Sequence, residues 1–154
     1  MINSAVIDLS QQRTYGSRLI QASAQTIFDL LADPAAHPSF DGSGMVRDNI
    51  SGPARLTMGA KFGMNMKFGP VPYRISSKVV EYDENALIAW QHFGKHRWRY
   101  ELEETEGGTL VTETFDWSTA LIPAAIEKVG YPERHKASID QTLERLAARV
   151  EHNA

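Results

Sequence analysis

The chain contains no cysteine among its 154 residues. Disulfides, thiolate metal ligands and thiol nucleophiles are therefore excluded, and the composition suits a reducing compartment. Long apolar runs are missing as well: none approaches the roughly 18 residues that a membrane-spanning helix needs. Residues 1–12 have neither a basic n-region nor an apolar h-region, so no signal peptide is read there and a cytoplasmic location is expected. Positive charge is not in excess. A formal net charge of −3 lacks the electrostatic footprint of a nucleic-acid binder. The glycine-rich pieces carry no Walker lysine followed by serine or threonine, and Gly42-Ser43-Gly44 lacks the spacing of a G-x-S-x-G nucleophile elbow. His92 and His96 flank Gly94 in a hairpin rather than sharing a helical face, so no metal site and no cofactor are expected.

What is present describes a soluble globular domain, with 42% hydrophobic and 23% charged residues. A chain of this length buries roughly 68–70% of its unfolded surface around one core. The organisation expected is an N-terminal tail over residues 1–12 and a single domain over 13–154. Arg18 to Ala22 reads as a short strand, Ser23 as the cap of a helix, and Ile27, Phe28, Leu30 and Leu31 as that helix's apolar stripe, ended by Asp33-Pro34. The stretch from His37 to Gly44 is dense in turn formers and reads as an ordered loop or a short second helix.

Alternation then takes over. Phe62, Met64, Met66 and Phe68 share one strand face; Tyr73, Ile75, Ser77, Val79 and Glu81 share another. Leu87 to Phe93 follows, with His92 in the register of Ile88 and Trp90. In Arg97 to Glu104, Trp98, Tyr100 and Leu102 alternate with charged residues, which marks a half-buried strand. Glu106-Gly107-Gly108 turns the chain into Thr109 to Trp117, where Val111, Glu113, Phe115 and Trp117 form the more aromatic register. Turns this short require antiparallel pairing, hence a meander. After a shorter helix over Ala124 to Lys128, the segment Pro132 to His152 places Ile139, Leu143, Leu146 and Val150 on one stripe of a helix of about five turns.

Ile20-Gln21-Ala22-Ser23, the helix end Ile27-Phe28-Asp29-Leu30-Leu31-Ala32-Asp33-Pro34, the following His37-Pro38-Ser39-Phe40-Asp41, the Gly107-Gly108-Thr109 turn and the closing Thr142-Leu143-Glu144-Arg145-Leu146 together resemble the polyketide cyclase/dehydrase and lipid-transport family. That family lies in the SRPBCC superfamily of START and birch-pollen-allergen-like proteins. The resemblance runs from about Arg18 to Val150 and implies an α+β helix-grip fold: a curved antiparallel sheet wrapped around the C-terminal helix, with an internal cavity. It brings no universal catalytic signature, so function has to come from the pocket.

The registers nominate a lining for such a pocket. Phe62, Met64, Met66, Phe68, Tyr73, Trp90, Trp98 and Phe115 supply adaptable thioethers and large ring surfaces for an apolar ligand, and His37 and Phe40 sit in the loop where a mouth is expected. Core packing is the competing reading for these stripes. Glu113, His92 and Tyr100 are the candidate acid/base groups, because a carboxyl turned in among rings has its pKa raised towards a useful range. The alternative for Glu113 is a solvent-facing pair with Arg97 or Arg99, and for His92 a solvent-facing hairpin position. Three functions remain open: carriage of a hydrophobic small molecule such as a lipid, polyketide or isoprenoid; cyclase- or aromatase-type dehydration; and regulation or assembly through the surface. The expected partners are a hydrophobic small molecule and, at most, a second copy of the chain, with no nucleic acid and no membrane span.

Overall fold

The computed structural model describes residues 2–151. Its eight strands form one antiparallel sheet: β1 (Ile2–Asp8), β2 (Arg13–Ile20), β3 (Val46–Ser51), β4 (Lys61–Phe68), β5 (Val71–Asp83), β6 (Leu87–Gln91), β7 (Arg97–Thr105) and β8 (Gly108–Asp116), in the order β1-β2-β8-β7-β6-β5-β4-β3. From β3 to β8 the chain is a meander. Between β2 and β3 it crosses to the far edge through α1 (Ala24–Leu31), a 3-10 turn (Pro34–Ala36) and α2 (His37–Phe40); α3 (Pro123–Lys128) and α4 (Tyr131–Glu151) follow β8. This is the helix-grip α+β architecture. No helix is long and apolar enough to cross a membrane among the described residues.

Local chemistry sets the helix ends. The Ser23 hydroxyl accepts from the Thr26 amide at the start of α1, and the Asp33 carboxylate accepts from the Ala35 amide before Pro34 continues the chain. The stripe of α4 is buried as its spacing requires, with Ile139, Leu143, Leu146, Ala147 and Val150 all in the core. It packs over β2, where a Cβ on Gly16 would lie 3.1 Å from an Ile139 methyl. Polar contacts tie the β1–β2 side of the sheet to α4: the Ala5 amide donates to Asp140 Oδ1 at 2.8 Å and the Gln21 amide to Glu151 Oε2 at 2.8 Å. The sequence-expected end of this helix, His152, lies outside the described residues.

Two strands occur where the sequence pattern predicts none. β1 falls within the stretch read as a tail, and β3 lies where alternation fades. A third difference concerns orientation. β5 carries a bulge, with Val79 opposite Trp90 but Glu81 opposite Ala89, so two residues advance on one strand against one on the other. The bulge turns Glu81 away from the face of Ser77 and Val79. It meets Arg97 at 2.7 Å and Arg99 at 2.9 Å on the outer face, where Arg99 also reaches Asp116 at 3.1 Å.

The turn after α2 touches α4 with no room to spare. A Cβ on Gly42 would sit 2.5 Å from the Ser138 carbonyl oxygen and 2.6 Å from the Thr142 nitrogen, both helix backbone. Gly42→Ala should therefore lower stability by about 1–3 kcal/mol, seen as a reduced urea midpoint at unchanged m-value.

Candidate functional site

Between the sheet's concave face and α4 lies a cavity of about 650 Å³, within the usual range for small-molecule sites. Each contributing element turns an alternate-residue or helical stripe inward. β4 supplies Phe62, Met64, Met66 and Phe68; β5 supplies Tyr73, Ile75 and Ser77; β6 and the following hairpin supply Trp90, His92 and His96; β7 supplies Trp98 and Tyr100. Glu113 comes from β8, His37 and Phe40 from α2, and His135, Ser138 and Thr142 from α4. Phe115 stands apart from the other nominated residues. It is 1% exposed and packs behind the wall, its ring 5.0 Å from Trp98 and 4.4 Å from His135. It supports lining residues rather than facing the cavity.

Glu113 is the carboxyl whose direction the sequence leaves open. It is buried, and Tyr100, its cross-strand neighbour, donates its hydroxyl to Glu113 Oε2 at 2.7 Å. The Arg97 and Arg99 guanidinium groups are on the opposite face with Glu81. Burial raises the Glu113 pKa well above the usual carboxylate range, Tyr100 opposes that rise, and the Asp41 and Asp140 charges add to it. Glu113 Oε1 is buried without a hydrogen-bond partner among the described residues. The Tyr100 hydroxyl is itself pushed up, by burial and then by Glu113. For both members of the pair, burial favours the uncharged form.

Histidine is concentrated here. Four of the chain's five imidazoles border the cavity. His37 stacks on Trp90 at 4.8 Å and contacts Phe40 and Phe62 edge-on. Its Nε2 lies 2.8 Å from the Leu31 carbonyl oxygen, so that nitrogen carries the proton. His92 is joined to Ser77 through Nδ1 at 2.8 Å. Burial lowers the pKa of His37 to about 4 and those of His92 and His135 to about 3, with neighbouring imidazoles adding to the last two. No group of three histidine or acidic side chains is arranged to hold a metal among the described residues.

Sequence reasoning named His37, His92 and Glu113 but passed over His135, Ser77 and Thr142. One signal for His135 was present: it lies four residues before Ile139, on the same stripe of α4. The contribution of α3 had none, because Ile126 and Ala125 reach the cavity from a six-residue helix with no buried face of its own.

Neutral buried imidazoles make stability pH-dependent with a definite sign. Below about pH 6.5 the unfolded chain takes up protons that the folded chain refuses until about pH 4 at His37 and about pH 3 at His92 and His135. Stability should thus fall as pH drops from 6.5 to 4, by up to about 1.4 kcal/mol per pH unit for each ring. His135→Phe places a ring of similar size among Trp98, Phe115 and Tyr131, and should flatten the slope of urea midpoint against pH by roughly one group's share.

Comparisons with known proteins agree with this architecture. The family model described as polyketide cyclase / dehydrase and lipid transport matches residues 11–151. The uncharacterized protein Rv0088 of Mycobacterium tuberculosis is 40% identical over 152 residues, which cover 96% of this chain and 68% of that relative. A crystal structure from Rhodobacter sphaeroides superposes with a TM-score of 0.72 at 14% identity over 97% of each chain. Protein CV1439 of Chromobacterium violaceum superposes at 0.71 with 19% identity, over 90% of this chain and 97% of that one. At such identities the two structures speak for the fold alone. The family match and the fold lead to one assignment: the chain belongs to the polyketide cyclase/dehydrase and lipid-transport family, whose membership points to the binding of hydrophobic ligands.

Proposed function

We propose that the protein binds an apolar small molecule of lipid, polyketide or isoprenoid type inside the cavity. The observation that carries this reading is the cavity itself: about 650 Å³ left unfilled behind Met64, Met66, Phe62, Trp90 and Trp98, where a domain with no ligand to accommodate would close to native packing density. Methionines adapt to irregular outlines and the rings offer large contact surfaces. Burying about 300 Å² of ligand apolar surface contributes about 7 kcal/mol before association costs, enough for micromolar affinity once those are subtracted. Ile75 lines the cavity from β5 without being fully buried. Ile75→Trp should fill part of the space and weaken binding of a neutral probe, decan-1-ol, at least tenfold in isothermal titration with the melting temperature retained. Equal affinity in both proteins would sink the reading.

A second reading is favoured by the Tyr100–Glu113 pair. A buried carboxyl whose protonated form is favoured can act as a general acid, handing its proton to a leaving hydroxyl or a ligand carbonyl, and Tyr100 orients it. Dehydration or cyclisation of a bound poly-β-ketone needs such a group. On this reading Glu113→Gln lowers turnover of a poly-β-ketone substrate by about 10²–10⁴-fold while its Kd changes little; a variant with undiminished turnover would remove Glu113 from any chemistry.

A further inference from the structure

Three of the four cavity imidazoles meet at one end. His92 follows β6, His96 precedes β7, and His135 faces them from the first turns of α4. The His92 and His96 rings are 5.3 Å apart, His96 lies 5.5 Å from Phe115, and His135 lies 4.4 Å from the same Phe115 ring and 4.7 Å from Trp98. Ser77 on β5 holds His92 through Nδ1. The Nδ1 atoms of His96 and His135 are buried with no hydrogen-bond partner among the described residues. An unsatisfied buried polar atom is uncommon in a folded protein, and a bound group is one of the few things that explains it.

The charges around these rings are of one kind. Besides Ser77, the elements packed against them present Trp98 from β7, Phe115 from β8, and Tyr131 and Arg134 from α4. The electrostatic influences on the three rings come from one another and from Arg134, whose guanidinium also lies 4.8 Å over the Phe68 ring. The cavity's carboxyls, Glu113 and Asp41, do not contribute to them. Glu113 is paired with Tyr100, four residues along the chain from His96, and Asp41 is engaged with Ser43. Among the described residues, three bases gather here and no carboxyl acts on them.

We propose that this histidine collar receives the carboxyl group of an amphiphilic carboxylic acid whose apolar chain occupies the Met- and Phe-lined remainder of the cavity, and that one proton is bound with each carboxylate. The proposal rests on the apolar-ligand reading above and specifies the ligand's polar end. A bare carboxylate cannot enter a dry cavity without an opposite charge, and neutral imidazoles offer none. Protonating one ring, or the acid itself, creates a pair of zero net charge in which the remaining ring nitrogens accept or donate hydrogen bonds. The proton comes from solvent and returns to it when the carboxylate dissociates, and apart from that N–H or O–H bond no covalent bond is made or broken. Arg134 raises the cost of a lone imidazolium at His135, which strengthens the requirement for the anion to arrive together with the proton.

The test is isothermal titration of the wild-type protein with decanoic acid and with decan-1-ol at pH 6, 7 and 8, each in phosphate and in Tris, whose different ionisation enthalpies report proton uptake. Decanoic acid should bind with uptake of about one proton and lose affinity about tenfold per pH unit as pH rises, while decan-1-ol binds with no uptake and no pH dependence. Replacing His96 and His135 together by Phe should lower the preference for acid over alcohol at least tenfold. Binding of decanoic acid without proton uptake in the wild-type protein overturns the collar proposal and leaves the apolar cavity standing. Failure of both ligands to bind overturns the cavity reading, and the collar falls with it. Where the double variant fails to fold, His96→Phe and His135→Phe singly carry the same acid-over-alcohol comparison, and a preference unchanged in both overturns the collar.

Discussion

The pairing of β7 with β8 is the constraint on which the site depends. In that register Leu102 faces Val111, Tyr100 faces Glu113, and Trp98 faces Phe115. A slip of β7 by one residue would send Trp98, Tyr100 and Leu102 to solvent and draw Arg97, Arg99, Glu101 and Glu103 inward. The hairpin that fixes it needs glycine: Gly108 has φ +136°, and a Cβ there would approach the Ile20 carbonyl oxygen to 2.3 Å. The outer face reinforces the same choice, since only this register carries Arg97 and Arg99 to Glu81 and Asp116. One pairing therefore satisfies a buried carboxyl on one side of the sheet and an ion-pair network on the other.

Desolvation then governs everything inside. It pushes carboxyl and imidazole pKa values in opposite directions, up for Glu113 and Asp41, down for His37, His92, His96 and His135. Both directions disfavour the charged form. A cavity furnished with two carboxyls and four imidazoles thus remains hospitable to apolar matter, while keeping hydrogen-bonding capacity at two places. Glu113 and Tyr100 hold one and the three clustered histidines the other, with the Trp98 and Phe115 rings between them along the strands.

Legibility in the sequence followed solvent contrast. β7 and α4 each have one wet side and one dry side, and β8 alternates aromatic with polar residues although its outer side is itself largely covered, so the inward residues Trp98, Tyr100, Glu113 and Ile139 are readable. β3 has little contrast: in Val46–Ser51 four of six residues are exposed and two partly so, as an edge strand with polar sides allows. β1 is another edge, and its pairing with β2 shifts register between Asn3 and Val6, which breaks any simple period. Glu81 was misplaced because period-two counting carries no warning of a bulge. Phe115 was assigned to the correct face of its strand; whether an inward side chain touches a ligand or backs another ring depends on depth, which alternation does not encode.

Carrier and catalyst are less distinct here than the two names suggest. The family description joins cyclases, dehydrases and lipid transport, and one property suits all three: an enclosure apolar enough to favour an apolar guest also favours the protonated form of Glu113. What separates them is contact. Glu113 Oε1 has no partner among the described residues, and in the protonated form, with Oε2 accepting from Tyr100, the proton is presented at Oε1. A guest that leaves Oε1 untouched leaves that donor unsatisfied and is merely held. A guest whose oxygen reaches it gains a hydrogen bond in a low-dielectric site, and that bond is also the path along which a proton would move. Under the two readings proposed above, carriage and conversion are thus separated by where along its chain a ligand bears oxygen.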